Sequence, residues 1–260
     1  SPTTNPSGGV GTIHLNKTTG EMFVCTDATA GKNVWYNIGR GHGSYGTVYG
    51  GRGLGTVAGY THGGEGGTNV IDRFTFGSNA NAADHGDLST FRTYMGGHSS
   101  ITHGYSSGGF GAPNTNTTKI DKYAFGSNTT STVHSNLTLI RRHITGTTNI
   151  THGYTAGGSA GGAAGNEIAR FSMVSSGGST DVGDLTQATA YGMSVGNATH
   201  AWNVGHEYNG GGGGNGNVIE RFAFTSSNNA TDWGDLTRQT YGGGGASNGD
   251  GSYGYAISGG

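Results

Sequence analysis

Aromatic side chains return along this chain at a nearly fixed interval. Phe23, Phe74, Tyr123, Phe171 and Phe222 are separated by 51, 49, 48 and 51 residues, and two positions beyond each stand Cys25, Phe76, Phe125, Met173 and Phe224. A period of about fifty residues marks an array of one supersecondary unit. Residues two apart on a strand share a face, so each unit is expected to carry one strand with a paired apolar edge. The repeat predicts a single repeat domain over residues 1–260 rather than two unrelated domains.

Glycine supplies 56 of the 260 residues and proline only three, without the three-residue glycine period of collagen. The glycines are expected in turns and at close approaches. Hydrophobic residues make up 31% and charged residues 11%, which is neither a disordered chain nor a helical core. Threonine, tyrosine, serine and asparagine fill the gap, a mixture that favours short strands joined by polar turns. A net charge of −2 and no basic run argue against nucleic acid as a partner. The lone cysteine, Cys25, excludes an intramolecular disulfide and is expected as a buried apolar thiol. No apolar stretch of about twenty residues occurs and no basic start leads into an apolar segment, so neither membrane insertion nor a signal peptide is expected.

Within a unit the signals keep one order. Gly59-Tyr60-Thr61-His62-Gly63-Gly64 reads as a strand ending on a glycine pair, and Val70 to Phe76 as the aromatic strand. Asp84-His85-Gly86-Asp87-Leu88 reads as a turn before a third strand near Phe91 and Arg92, and the fourth strand lies near Ile101 to Tyr105. The turn recurs at Asp181 to Leu185 and Asp232 to Leu236, and the tyrosine slot holds Tyr60, Tyr105, Tyr154, Trp202 and Tyr255. Residues 51–260 give four clear repeats. Residues 8–50 read either as a divergent first blade or as an N-terminal hairpin turning at Lys17-Thr18-Thr19-Gly20.

The glycine pair, aromatic strand and tryptophan or leucine turn resemble the blades of kelch-type β-propellers. That resemblance implies an all-β fold of five blades of about fifty residues, with the C-terminal strand closing the ring, or four blades plus the hairpin. A narrower likeness lies in Gly11-Thr12-Ile13-His14-Leu15-Asn16-Lys17-Thr18-Thr19-Gly20-Glu21, Cys25 to Thr29 and Trp35. These segments look like ones in phage virion proteins, and the glycine-rich Thr-His-Gly-Tyr repeats are similar to ones in cyanophage structural proteins.

Several motifs weaken once the repeat is known. Gly104-Tyr105-Ser106-Ser107-Gly108 fits a nucleophile elbow, but its serine sits where Thr61 and Thr155 serve in neighbouring units. Gly41-His42-Gly43-Ser44-Tyr45-Gly46 lacks the strand and helix of a dinucleotide site. The aspartate pairs Asp84/Asp87, Asp181/Asp184 and Asp232/Asp235 are expected to cap turns rather than to hold calcium. Asp72, Asp121 and Glu220, beside Arg73, Lys122 and Arg221, face away from those neighbours and are expected to pair between blades. His103, His152 and His200 recur at 49 and 48 residues, and ring closure would draw them toward an axis, though cross-blade hydrogen bonding is the simpler expectation.

The reading that emerges is a non-enzymatic virion protein: a tail fibre, spike or capsid decoration located on the particle. Its partners are expected to be other virion proteins and host-surface glycans, with display as a homo-oligomer or in many copies. Tyr60, Tyr105, Tyr154, Trp202, His103, His152 and His200 are the candidate ligand-binding residues. No catalytic residue, cofactor or metal is expected. The alternatives are a free lectin-like interaction module and a propeller enzyme acting on polysaccharide, the latter requiring a singular acid or nucleophile group in one blade.

Overall fold

The repeated glycine-aromatic pattern is realised as strand pairing. The computed structural model describes residues 8–15, 22–30, 33–39, 57–64, 68–111, 115–208, 214–248 and 251–257. Among them every regular element is a β-strand and every strand pairing is antiparallel. The chain divides into two compact units, Ser1–Tyr49 and Gly50–Gly260.

The first unit is a three-stranded sheet of β1 (Ile13–Leu15), β2 (Met22–Asp27) and β3 (Val34–Gly39) in that order. Phe23 and Cys25 share the buried face of β2, and the thiol donates to the Asp27 carbonyl at 3.1 Å. Cys25 stands opposite Trp35. The expected turn at Lys17 to Gly20 lies outside the described residues.

The second unit opens with a sheet of β4 (Ala58–His62), β5 (Val70–Thr75) and β6 (Ala83–Asp87), followed by the short β7 (Arg92–Thr93). Next come β8 (Gly96–Ser99) and β9 (His103–Ser107), a ribbon of β10 (Phe110–Gly111) and β11 (Thr115–Asn116), then β12 (Lys119–Ala124) and β13 (Thr132–Asn136). The third group is β14 (Thr145–Thr148), β15 (His152–Ala156), β16 (Ser159–Ala160), β17 (Ala163–Ser172) and β18 (Thr180–Thr189). The fourth is β19 (Met193–Gly196), β20 (His200–Tyr208), β21 (Gly214–Ala223) and β22 (Thr231–Asp235), and β23 (Gly244–Ser247) with β24 (Gly254–Ile257) form the last. The second, third and fourth groups are four-stranded meanders: β8-β9-β12-β13, β14-β15-β17-β18 and β19-β20-β21-β22.

The aromatic period has a direct physical cause. Phe74, Tyr123 and Phe171 stand directly across the ladder from Gly59, Gly104 and Gly153. Each ring lies on its glycine: a Cβ added at Gly104 would come within 2.2 Å of Tyr123 Cζ, and one at Gly153 within 2.2 Å of Phe171 Cζ. In the fourth sheet Ala201 takes the slot opposite Phe222.

Successive sheets then pack face to face. Tyr105, Ile120 and Leu137 of the second sheet region meet Ile144, Phe171 and Met173 of the third. Tyr154, Ile168 and Leu185 meet Phe222 and Phe224 in the same way one repeat later. Side chains from neighbouring repeats thus make each core, which is how a unit too small for its own interior is stabilised. The innermost strands also follow one another, with β8 beside β14, β14 beside β19 and β19 beside β23.

The glycine pairs serve this stacking. Gly63, Gly108 and Gly157 have φ of 62°, 61° and 65°, and a Cβ there would press on the carbonyl oxygens of Arg92, Arg141 and Thr189, each just ahead of the next innermost strand. The second glycine of each pair, Gly64, Gly109 or Gly158, donates its N–H to that same carbonyl.

The aspartate segments expected as turns lie within strands instead. Asp84, Asp181 and Asp232 do accept the N–H of Gly86, Gly183 and Gly234, as a capping aspartate should. The ladder register shifts beside each, so the motif is a β-bulge in β6, β18 and β22. Strands do lie near Phe91 and within the Ile101 to Tyr105 segment, as the short β7 at Arg92–Thr93 and as β9, which begins at His103, but the third strand paired in that repeat's sheet is β6.

Candidate functional site

The tyrosines singled out from the sequence act between sheets. Tyr105 and Tyr154 are 1% and 2% exposed, and their hydroxyls donate to the carbonyls of Met173 and Phe224 in the next repeat. Half-buried Tyr60 does the same toward Phe125 and stacks on that ring at 4.6 Å. The Tyr105 and Tyr154 rings are thus covered by the next sheet rather than open to a ligand. Trp202 lines a cleft of about 240 Å³ between the fourth and fifth sheets, together with Val204, Ile219, Trp233, Tyr253 and Tyr255. In the preceding interface the corresponding place is filled by Phe222 and Phe224.

The three histidines are not brought together. Each begins the second strand of its own meander, with Nδ1 2.8 Å from the hydroxyl of Thr102, Thr151 or Thr199. Burial lowers the pKa of all three, and Lys122, Arg170 and Arg221 respectively lower it further. Among the described residues no three of His, Cys, Asp and Glu are grouped closely enough to hold a metal ion.

A different set of residues forms a strip of another kind. Tyr94, His143 and Tyr191 have φ of 59°, 56° and 56°, the left-handed region that bulky side chains rarely enter. All three sit two residues before an innermost strand, and Gly242, with φ of 65°, holds the fourth such place before β23. The backbone links them in series: His143 N–H donates to Tyr94 O, Tyr191 N–H to His143 O and Gly242 N–H to Tyr191 O. Non-glycine residues in this region cost about 1–3 kcal/mol each and persist where surrounding structure over-determines them, most often at functional sites.

The side chains follow the backbone. His143 stacks on Tyr191 with ring centres 3.6 Å apart, Tyr94 lies 4.3 Å from His143, and Tyr241 meets Tyr191 edge-on at 6.2 Å. The residues before them pair with ribbons from the glycine pairs: Thr93 opposite Phe110, Arg142 opposite Ser159 and Ala190 opposite Glu207. Arg142 lies over the Phe110 ring at 5.0 Å.

Charge at the strip is mixed. Burial and neighbouring Arg142 depress the His143 pKa to about 4, so its imidazole is neutral at physiological pH. Burial raises the Tyr191 pKa, Glu207 and the other phenols add to the rise, and Arg142 opposes it. His143 Nδ1 is 2.9 Å from Ser159 Oγ, while its Nε2 is buried without a hydrogen-bond partner among the described residues. Thr93 Oγ1 and Arg142 Nε are in the same condition. Unpartnered buried polar atoms are uncommon in proteins and call for an explanation.

No family model matches the sequence, and no curated protein is similar to it. A solved structure titled "Structure of YjhT" is similar over 89% of this chain and 82% of that one, with 8% sequence identity and a TM-score of 0.57. The likeness is one of fold alone. No helix among the described residues is long and apolar enough to cross a membrane.

The strip was missed because the sequence carries only its spacing. Tyr94, His143 and Tyr191 recur at 49 and 48 residues, in phase with the aromatic strand, but a tyrosine, a histidine and a tyrosine do not announce a left-handed backbone.

Proposed function

We propose that this protein is a non-enzymatic adhesion component of a phage virion, a kelch-like β-propeller of five blades that binds surface glycans through the Tyr94, His143 and Tyr191 strip. The observation that carries the binding role is the strip itself: three bulky residues held at positive φ, with exposed and buried ring area beside charged groups and orphaned nitrogens. A packed core has no use for that combination, whereas aromatic faces beside polar groups suit sugar rings and their hydroxyls. The four-stranded meanders and the period that reaches back to Phe23 support the propeller. The virion setting rests on the likeness of residues 11–35 and of the Thr-His-Gly-Tyr repeats to phage structural proteins.

Single contacts between a protein and a sugar are weak, so attachment of this kind works through many copies. Other virion proteins and further copies of the chain are the partners that such display requires. A glycan array probed with the purified chain, beside electron microscopy of particles that carry it, tests the reading. Bound glycans together with five-bladed discs in regular positions on the particle are expected. Glycan binding by a chain that no particle carries would favour the free lectin. Cleavage of polysaccharide that is lost in Glu207→Gln would replace adhesion by an enzymatic role.

A further inference from the structure

We infer that the cleft beside Trp202 is the unfilled half of a repeat interface, and that it receives the edge strand β1 of a second copy of this chain. The wall of the cleft matches a covered face one repeat earlier. Trp202, Val204, Ile219, Trp233 and Leu236 line the cleft where Tyr154, Ala156, Ile168, Val182 and Leu185 stand in the third sheet. The ladders agree: Val204 pairs with Ile219 as Ala156 does with Ile168, and Gly234 stands opposite Ile219 as Gly183 does opposite Ile168. The earlier face is closed by Phe222 and Phe224, in and just beyond the third strand of the next sheet. Among the described residues the fifth sheet holds β23 and β24 alone, so no third strand brings such a pair. Trp233 is accordingly 55% exposed where Val182 is 7%. Gly254 takes the place of Gly104 and Gly153, yet a Cβ added there would meet only Val195, with no ring lying on it.

The geometry selects the occupant. Asn248 N–H donates to Tyr253 O, and bonding alternates along an antiparallel ladder, so Tyr255 and Ile257 also bond β23 while the peptide groups of Gly254 and Ala256 point to the open edge. Such a row is a template for a further strand. The strand needs a free edge of its own and apolar side chains two residues apart on the face toward the fourth sheet. β1 supplies both: it ends the sheet β1-β2-β3, and Ile13 and Leu15 are 61% and 52% exposed. Cys25 exchanges bonds with Gly11 and Thr12, so Phe23 bonds His14, and the peptide groups of Ile13 and Leu15 point away from β2. In the repeats, the residues whose N–H reaches the second strand are those that face the preceding sheet, since Phe125, Met173 and Phe224 donate to Thr102, Thr151 and Thr199. For L residues, strand direction and the side to which N–H points fix the face of the side chain. An antiparallel β1 therefore turns Ile13 and Leu15 into the cleft, with Ile13 over Gly254 and Leu15 in the place that Phe224 holds one repeat earlier, and β2 follows as the fourth strand. The contact continues the packing of β19 on β23 and β24. Donor and acceptor surfaces differ, so copies join head to tail and add on until a ring closes. The contact stands on the sheets alone and is independent of glycan binding.

Sedimentation velocity of the full chain across a wide range of concentration tests this. Ile13→Lys with Leu15→Lys charges the exposed donor edge, and Ala256→Pro removes an acceptor N–H that the fifth sheet does not use. The unaltered chain is expected to form assemblies that grow with concentration. Each variant is expected to keep its thermal midpoint and to raise the dissociation constant by about a hundredfold, the scale of two apolar side chains left in water. Mixed together, the variants retain one competent donor and one competent acceptor, and a dimer that grows no further is expected. A synthetic peptide of residues 217–225, the strand that fills the equivalent slot one repeat earlier, is expected to disperse the assemblies of the unaltered chain, which tests the slot without any substitution. A chain that stays monomeric throughout, or assemblies that survive both variants, would overturn the inference and leave the glycan reading intact. Binding of the peptide by a chain that never self-associates would give the slot to a foreign strand and overturn the second copy as its occupant.

Discussion

Asp121 and Arg92 show how a repeat handles charge it cannot leave in water. They form an ion pair of 2.8 Å with side chains 0% and 1% exposed, and Asp121 also accepts from Ser89 N–H, Ser89 Oγ and Ser131 Oγ. Ser89 and Arg92 come from the segment before the second meander, so the carboxylate joins repeats, as its orientation on the strand led one to expect. Glu220 receives Thr186 N–H and Oγ1 in the same way. Where Ala169 interrupts the series, Glu167 two residues earlier accepts from Thr138 Oγ1 and lies 3.7 Å from Arg141. The series of acids was legible in the sequence, but that substitute was not, because it depends on which side chains the neighbouring sheet presents. Asp121→Ala leaves a buried guanidinium without its counter-charge and is expected to destabilise the protein by about 3–5 kcal/mol in urea unfolding. Gly108→Ala forces a Cβ to within 2.7 Å of Arg141 O at a φ of 61°, and a loss of about 1–3 kcal/mol is expected in the same assay.

Between elements, hydrogen bonds recur with the same period as the aromatics. The Tyr105 and Tyr154 hydroxyls reach the next sheet, and His85 and His134 donate from Nε2 to the carbonyls of Ala124 and Ser172 there. A carbonyl accepts only, so the tautomer of each histidine is fixed by its neighbour sheet. Tyr105→Phe is expected to cost about 1–2 kcal/mol, since it strands a buried carbonyl, and Tyr154→Phe a similar amount. The two act at different interfaces, so the double variant should lose the sum; a clearly smaller loss in thermal or urea unfolding would show that the interfaces are coupled. The sequence led to these tyrosines through their period but took them as candidate ligand-binding residues. Exposure is decided by the sheet that lies opposite, and the same slot is buried at Tyr105 yet 55% exposed at Tyr255. The Asp-x-Gly motif was misplaced for a related reason: one local hydrogen bond serves a turn or a bulge equally well, and only the pairing partner, β5 for β6, separates them.

For the whole molecule, three histidines make stability depend on acid. Burial lowers the pKa of His62 and His98 to about 4, and burial with Arg142 does the same at His143. His98 Nδ1–H donates to Thr147 O across the sheets, and in the neutral form its Nε2 accepts from Ser107 Oγ. Their unfolded pKa is about 6.5, so between that value and about 4 the unfolded chain binds protons that the folded one refuses. Stability contributed by the neutral form is therefore full above pH 6.5 and is lost as pH falls through this window. A thermal midpoint flat from pH 7 to 8 and falling below about pH 6 is expected, with a shallower fall in His98→Gln; a midpoint unchanged down to pH 4 would contradict the assignment.

The sequence by itself determined the repeat, the all-strand content, the use of glycine at turns and close approaches, and the capping role of the aspartates. These follow from local periodicity and from backbone preferences that act within a few residues. Tertiary structure alone decided which tyrosines are covered, why Trp202 borders an open cleft, how Glu167 stands in for a missing acid, and that Tyr94, His143 and Tyr191 stack at positive φ. Each of those depends on the face that a neighbouring sheet presents, and residues some fifty positions apart in the chain become neighbours only when the sheets stack.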